Sequence, residues 1–169
     1  WMMFLYENDC GGFRETVGST AFQTWRPNHM HVPVYVHKEK SGLALEREAY
    51  HGGRVEVFKQ GLRWTDRYYY LDINNMYGYV MQNFEYPSSM RGYTTHTSIR
   101  RMISYLSRYS VIARVNVNVD EPAFIHKVNG HVAYPVGCFE TVLTTHEIEY
   151  ALSMGWLGGV TEMSWYRQD

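Results

Sequence analysis

Cysteine is scarce: the 169-residue chain holds two, Cys10 and Cys138, far apart and neither in a Cys-x-x-Cys pair. Two such residues cannot build a cysteine zinc centre or a disulfide framework, and they fit a reducing compartment. Long apolar runs are missing as well; no stretch approaches the roughly 18 residues that a membrane span needs. The opening Trp1-Met2-Met3-Phe4 lacks the basic region and small-residue cleavage site of a secretory signal. A chain that opens on Trp1 reads as part of something longer. Internal repeats and low-complexity tracts are absent. So are a Gly-x-Ser-x-Gly elbow, a phosphate-binding lysine loop and a Gly-x-Gly-x-x-Gly turn, which removes three common catalytic or nucleotide-binding signatures. The net charge is -1, from 16 Lys+Arg against 17 Asp+Glu. That excludes a wholesale polycation and leaves room for a local basic patch.

What is plentiful is apolar and aromatic. The chain is 45% hydrophobic, enough to bury a core and too much for a disordered segment. Fifteen Tyr and five Trp suit strands through their bulk and interfaces through their polar tips. Ser19 to Arg26 reads as a short helix ended by Pro27, and Val32 to His37 as a strand. Leu43 to Tyr50 has helical spacing and stops at Gly52-Gly53; Arg54 to Phe58 alternates like a half-buried strand. Arg67 to Ile73 (RYYYLDI) is a near-continuous apolar run and predicts a central strand buried on both faces. Asn75 to Gln82 predicts a short helix with Met76, Tyr79 and Val80 on one face. In Thr97 to Tyr109, Ile99, Met102, Ile103 and Leu106 recur at helical spacing. Ser110 to Asp120 alternates as a strand, and Phe124 to Val128 with His131 to Val136 flank an Asn129-Gly130 hairpin turn. Thr144 to Glu147 is a capping box opening a helix that Gly155 ends. Strands and helices mix without a regular βαβ alternation, which predicts an α+β fold with a mainly antiparallel sheet.

Charge is unevenly spread. No acid lies between Glu85 and Asp120, whereas Arg91, Arg100, Arg101, Arg108 and Arg114 all do, interleaved with Tyr93, Tyr105 and Tyr109. Guanidinium groups for phosphate and rings for bases are what a nucleic-acid surface uses. The alternative is a solvated helix face whose acidic partners come from elsewhere. The histidines His29, His31 and His37 lack a ligand set at metal-binding spacing and read as ordinary surface or core residues.

Two segments could carry chemistry. Asp72 ends the apolar run and opens the helix of Asn74 to Gln82; its carboxylate can be a ligand of a hard divalent cation, with the Ile73 carbonyl beside it, or a helix N-cap. In Tyr50-His51-Gly52-Gly53-Arg54, paired glycines permit close backbone approach, Tyr50 offers a ring and Arg54 a cation. The alternative there is a plain helix C-cap and turn.

Together these segments form a pattern. Tyr50-His51-Gly52-Gly53, 18 residues, then Asp72-Ile73-Asn74-Asn75-Met76-Tyr77 resembles family B DNA polymerases of the protein-primed branch found in phages and linear plasmids. That family carries a Tyr-x-Gly-Gly element shortly before its first polymerase motif, Asp-x-x-Ser-Leu-Tyr-Pro. Gly18 to Phe22, Gly137 to Glu140 and Leu143 to Ile148 are similar to its neighbouring segments. Asn75, Met76 and Gly78 depart from the usual Ser, Leu and Pro. The second motif's Lys and the third motif, Tyr-x-Asp-Thr-Asp, are not in the sequence.

The resemblance implies a palm-like α+β fold, with a palm-type segment over residues 1–87 and an Arg-rich, insertion-like segment over 88–169. It implies part of a template-directed DNA polymerase that transfers a nucleotide from a dNTP to a 3′-hydroxyl or a protein primer. Asp72 would be the catalytic carboxylate and, with the Ile73 carbonyl, a ligand of Mg²⁺ or Mn²⁺. Ile73, Asn74, Asn75, Met76 and Tyr77 would line the nucleotide, with Tyr77 beneath the deoxyribose. Tyr50, Gly52, Gly53 and Arg54, with Arg91, Arg100, Arg101 and Arg108, would contact DNA. The implied partners are template and primer DNA, dNTP and a terminal primer protein, without a membrane, in the cytoplasm. Two-metal phosphoryl transfer needs more than one carboxylate to hold both ions, and one Asp does not supply them, so the chain alone is expected to be inactive. A non-catalytic single-stranded DNA-binding module and a purely structural domain are the alternatives.

Overall fold

The alternating segment around Val115 becomes the spine of a four-stranded antiparallel sheet. The computed structural model describes residues 2–31, 36–55, 57, 60–61, 67–128 and 131–168. In chain order the elements are α1 (Met2–Glu7), α2 (Val17–His29), α3 (Lys40–Ala49), α4 (Met76–Asn83), β1 (Pro87–Thr94), α5 (Ile99–Leu106) and β2 (Ser110–Val119). They continue with β3 (His126–Val128), β4 (His131–Ala133), β5 (Gly137–Thr144), α6 (Thr145–Ser153) and β6 (Leu157–Gln168). Two compact units divide the chain, Trp1–Val36 and His37–Asp169.

In the first unit, Thr16 caps α2 in a reciprocal box with Ser19, and Thr24 Oγ1 donates to the Cys10 carbonyl at 2.5 Å. The helix runs through Pro27 to His29 instead of stopping before it. Proline removes one N–H bond, but the Met30 N–H still reaches the Arg26 carbonyl and the Asn28 side chain donates to the Thr24 carbonyl, so the last turn closes around it.

In the second unit the sheet order is β1-β6-β2-β5, every pair antiparallel. The odd residues of β2, Val111 to Val119, are buried with Met102 of α5, Leu143 of β5, Ile148 and Ala151 of α6 and Met163 of β6. The even residues face the other way, where Ile112 packs with Leu45 and Ala49 of α3 and Val142 of β5. The sheet is therefore sandwiched, α5 and α6 on one face and α3 on the other. Trp165 of β6 fixes the position of the first of these. Its ring meets Tyr105 of α5 edge-on at 4.8 Å, and a Cβ at Gly92 of β1 would fall 2.3 Å from its Cζ2. Only glycine lets the edge strand approach this ring.

The antiparallel α+β class, β2, the β3–β4 pair, α5 and the Thr144–Glu147 capping box agree with the sequence patterns. Others do not. Arg67 to Ile73 forms no strand and is not buried: Tyr70 is 98% and Leu71 87% exposed. An apolar run stays in a strand only if another strand completes its ladder, and no described strand pairs with it. Arg54, Val55 and Val57 are likewise exposed and outside any strand. The remainder of that expected strand, and most of Val32 to His37, lies outside the described residues. No residue of α4 is buried, so its apolar stripe faces solvent. Among the described residues no helix is long and apolar enough to cross a membrane.

Candidate nucleic-acid interface

Helix α3 positions the Tyr50-His51-Gly52-Gly53 element. Its first turn is closed by Glu39, whose carboxylate accepts from the Gly42 N–H at 2.5 Å. Leu45 and Ala49 pin it to the sheet. A helix end leaves carbonyls without partners and carries partial negative charge. Here Lys127, from the distant strand β3, reaches in and donates from Nζ to the carbonyls of Glu48 and Tyr50, both at 2.8 Å.

Beyond that cap the chain is tied at two further points. His51 Nε2 lies 3.2 Å from Glu147 Oε1 at the start of α6. Arg54 donates from Nη1 to the Pro122 carbonyl at 2.7 Å, and its guanidinium carbon sits 4.4 Å from the centre of the Tyr134 ring. Between these ties Tyr50 is 80% exposed, and a Cβ at Gly52 or at Gly53 would meet nothing within 4 Å. Neither glycine has a positive φ. The fold itself has no need of glycine at either position.

Beneath the loop lies a cleft of about 170 Å³, whose charged and polar lining includes Glu48, His51, Arg114, Lys127, Glu140 and Glu147. Arg114 holds its floor. It donates from Nη1 and Nη2 to the two carboxylate oxygens of Glu48 at 2.8 and 2.6 Å, and from Nε to Glu162 at 2.6 Å. Glu140 lies 3.7 Å away, and the Tyr93 hydroxyl donates to Glu162. The hydrogen bonds from Arg114 hold the Glu48 carboxyl below the usual carboxylate range, and the guanidinium is in turn held more firmly protonated, first of all by Glu48. The bond to Glu162 likewise pushes the Tyr93 phenol up. Arg114 therefore has a structural partner set and leaves the group of free arginines. Its acids come from α3, β5 and β6, which explains why no local sequence window showed them.

The other arginines differ. Arg91 on β1, Arg100 and Arg101 on α5 and Arg108 just beyond it are exposed, and none has a carboxylate partner among the described residues. Arg101 donates to the His96 carbonyl at 2.8 Å and leans over Tyr105.

Asp72 lies at the end of the exposed apolar run and has no hydrogen-bond or ion-pair partner among the described residues. It does not cap α4. The N-cap is Asn75, in a left-handed conformation with φ 53° and without a side-chain capping bond. The Ile73 carbonyl accepts from the Met76 N–H at 3.3 Å, and Asn74 forms the turn with Asn75. Tyr77, in the first turn of α4, is exposed. Among the described residues, no hydrogen bond, ion pair or ring contact joins residues 72–77 to Tyr50–Gly53.

The family model of organellar and viral type B DNA polymerases matches residues 13–165, nearly the whole chain. The chain belongs to that family. No curated protein and no solved structure matches it. Type B DNA polymerases generally use divalent metals, so the residues of this polymerase segment can be tested against such an ion. The described residues contain no group of three His, Cys, Asp or Glu able to hold one. Asp72 is free to be one ligand, and the Ile73 carbonyl is already engaged in a turn. These residues do not by themselves make a metal centre. Sequence reasoning about this polymerase segment found the Tyr50–Gly53 loop but missed the groups that hold it. Glu147 was visible as a capping residue, whereas Lys127 gave no local signal because its partners lie 77 and 79 positions away.

Proposed function

We propose that this chain is the part of a template-directed DNA polymerase that holds the template strand and brings one carboxylate to the incoming nucleotide. The reaction is nucleotide transfer from a dNTP to a 3′-hydroxyl or a protein primer. The reading rests chiefly on Gly52 and Gly53: two adjacent glycines that no packing or backbone angle requires, in a loop anchored on both sides, fit the close approach of something outside the fold. A nucleic-acid backbone is that something. Tyr50 offers its ring beside it, and Arg54 adds a cation at the far end. Arg91, Arg100, Arg101 and Arg108, lacking acidic partners, meet phosphates.

Asp72 serves as the one carboxylate this chain contributes toward a divalent cation, Mg²⁺ or Mn²⁺, which supplies charge neutralisation at the triphosphate when bound. Asn74, Asn75 and Met76 border the nucleotide, and Tyr77 lies against its sugar and excludes a 2′-hydroxyl by bulk. The chain alone is inactive, and the working polymerase acts on template and primer DNA in the host cytoplasm, with a terminal protein as an alternative primer. The uncommitted arginines also favour a second reading, a non-catalytic module that grips single-stranded DNA.

The glycines supply the test. Gly52→Ala and Gly53→Ala introduce a methyl group where the fold leaves space, so thermal stability stays within about 0.5 kcal/mol of wild type. Binding to a primer–template, followed by fluorescence anisotropy at fixed salt, weakens about tenfold. Unchanged affinity in both variants overturns the template contact.

A further inference from the structure

We propose that Lys127 is a positioning residue for the template-binding loop, holding it from strand β3; the inference rests on the reading of Tyr50–Gly53 given above. Strand β3 is itself fixed. Thr141 Oγ1 donates to the Ile125 carbonyl at 2.6 Å in a buried bond, and the His126 ring sits 3.1 Å from the Glu140 carbonyl through Nδ1 and 5.5 Å, centre to centre, from the Phe139 ring. The ammonium one residue on is therefore delivered from a strand held at these points. It bridges the Glu48 and Tyr50 carbonyls, the first inside the last turn of α3 and the second just past its end.

One donor thus joins the helix end to the first residue of the loop and sets the direction in which the chain leaves the helix. A cation suits the negative end of a helix, and an ammonium with three protons can serve both carbonyls at once. It also sits beside Glu48, whose carboxylate grips Arg114, so the loop, the helix end and the sheet's charged face share one anchor. Among the described residues no other hydrogen bond reaches the Tyr50 carbonyl. The other ties, His51 to Glu147 and Arg54 to Pro122, hold side chains, and the Tyr50 N–H is bonded back to the Glu46 carbonyl, so the carbonyl side of Tyr50 depends on Lys127.

Lys127→Met keeps the apolar stem and removes the donor; Lys127→Arg restores a cation able to reach two carbonyls. Two measurements on the full chain separate this inference from the reading beneath it. The first is amide exchange at Tyr50, whose N–H is bonded to the Glu46 carbonyl, together with relaxation order parameters of residues 51–53. The second is primer–template affinity. In Lys127→Met, exchange at Tyr50 rises about tenfold, the order parameters of 51–53 fall, amides of β2 and β6 are unchanged, and affinity drops about tenfold. Lys127→Arg recovers most of both. Unchanged exchange and order parameters overturn the positioning role whatever happens to affinity, since a loss of affinity alone makes Lys127 a direct phosphate contact. Raised exchange with unchanged affinity upholds the positioning of the loop and overturns the template reading.

Discussion

Replacing Asp72 with Asn in a polymerase carrying this segment lowers nucleotide incorporation by about a thousandfold or more, and leaves primer–template affinity within about twofold. The loss corresponds to roughly 4 kcal/mol of transition-state stabilisation, the scale at which a single well-placed charge acts on phosphoryl transfer. The structure makes this substitution unusually clean. Asp72 is exposed, has no partner among the described residues and does not cap α4, so the isosteric amide removes charge without disturbing a fold contact. Stability therefore stays within about 0.5 kcal/mol of wild type. Single-turnover incorporation with a labelled primer, run beside a binding titration, reads both quantities. Retained incorporation contradicts a catalytic role for Asp72 and leaves the single-stranded DNA-binding reading; parallel loss of affinity contradicts its assignment to the chemical step.

The second large effect is structural. Arg114→Met destabilises the second unit by about 3 kcal/mol, a fall in Tm on the order of 10 °C. The side chain is about a quarter exposed and bonds Glu48 and Glu162, with Glu140 close by. Removing it strands carboxylates that face one another across α3, β5 and β6. The cost sits at the low end for breaking a buried pair because solvent reaches part of the cluster. Adding Glu48→Gln and Glu162→Gln to Arg114→Met recovers a portion, since neutral amides no longer repel. The pH dependence has a definite sign. Glu48 titrates below its ordinary value of 4.5 in the fold, so its contribution is complete above that value and disappears as pH falls through the lower, folded one. The gap between wild type and Arg114→Met accordingly narrows as pH falls below 4.5. Thermal melts from pH 3 to 7 measure it, and a gap that does not change with pH removes Glu48 from the account.

How far the sequence reveals this molecule depends on whether a signal is local. Strand β2 alternates because its odd side is buried by α5 and α6, and that burial is written in ten consecutive residues. The Thr144–Glu147 box and the Asn129-Gly130 flanks are equally local, and so were legible. Strand β6 was not: Leu157–Gln168 carries Gly158, Gly159, Thr161 and Glu162, and its Glu162, Ser164 and Tyr166 face the polar side where α3 lies. The polar alternation that hides it is what serves Arg114 and Glu46.

The run from Tyr68 to Leu71 misled for a different reason. Its composition says the segment needs cover, but composition does not supply the neighbouring strand, and without one the rings stand in solvent. The Tyr50–Gly53 element and Asp72 stand out in the sequence by their order and separation. The anchors that give the loop its position, Lys127, Glu147 and Pro122, come from long-range pairing that no window contains.

The central claim is that Tyr50 and its glycines face the template strand, and site-specific photo-crosslinking addresses it most directly. A benzophenone amino acid at position 50, in a polymerase carrying this segment bound to primer–template with the two strands differently labelled, reports which strand the loop touches. The account predicts adducts predominantly on the template strand, reduced when Gly52→Ala and Gly53→Ala are introduced together. Adducts shared equally between the strands, or confined to the primer, contradict it.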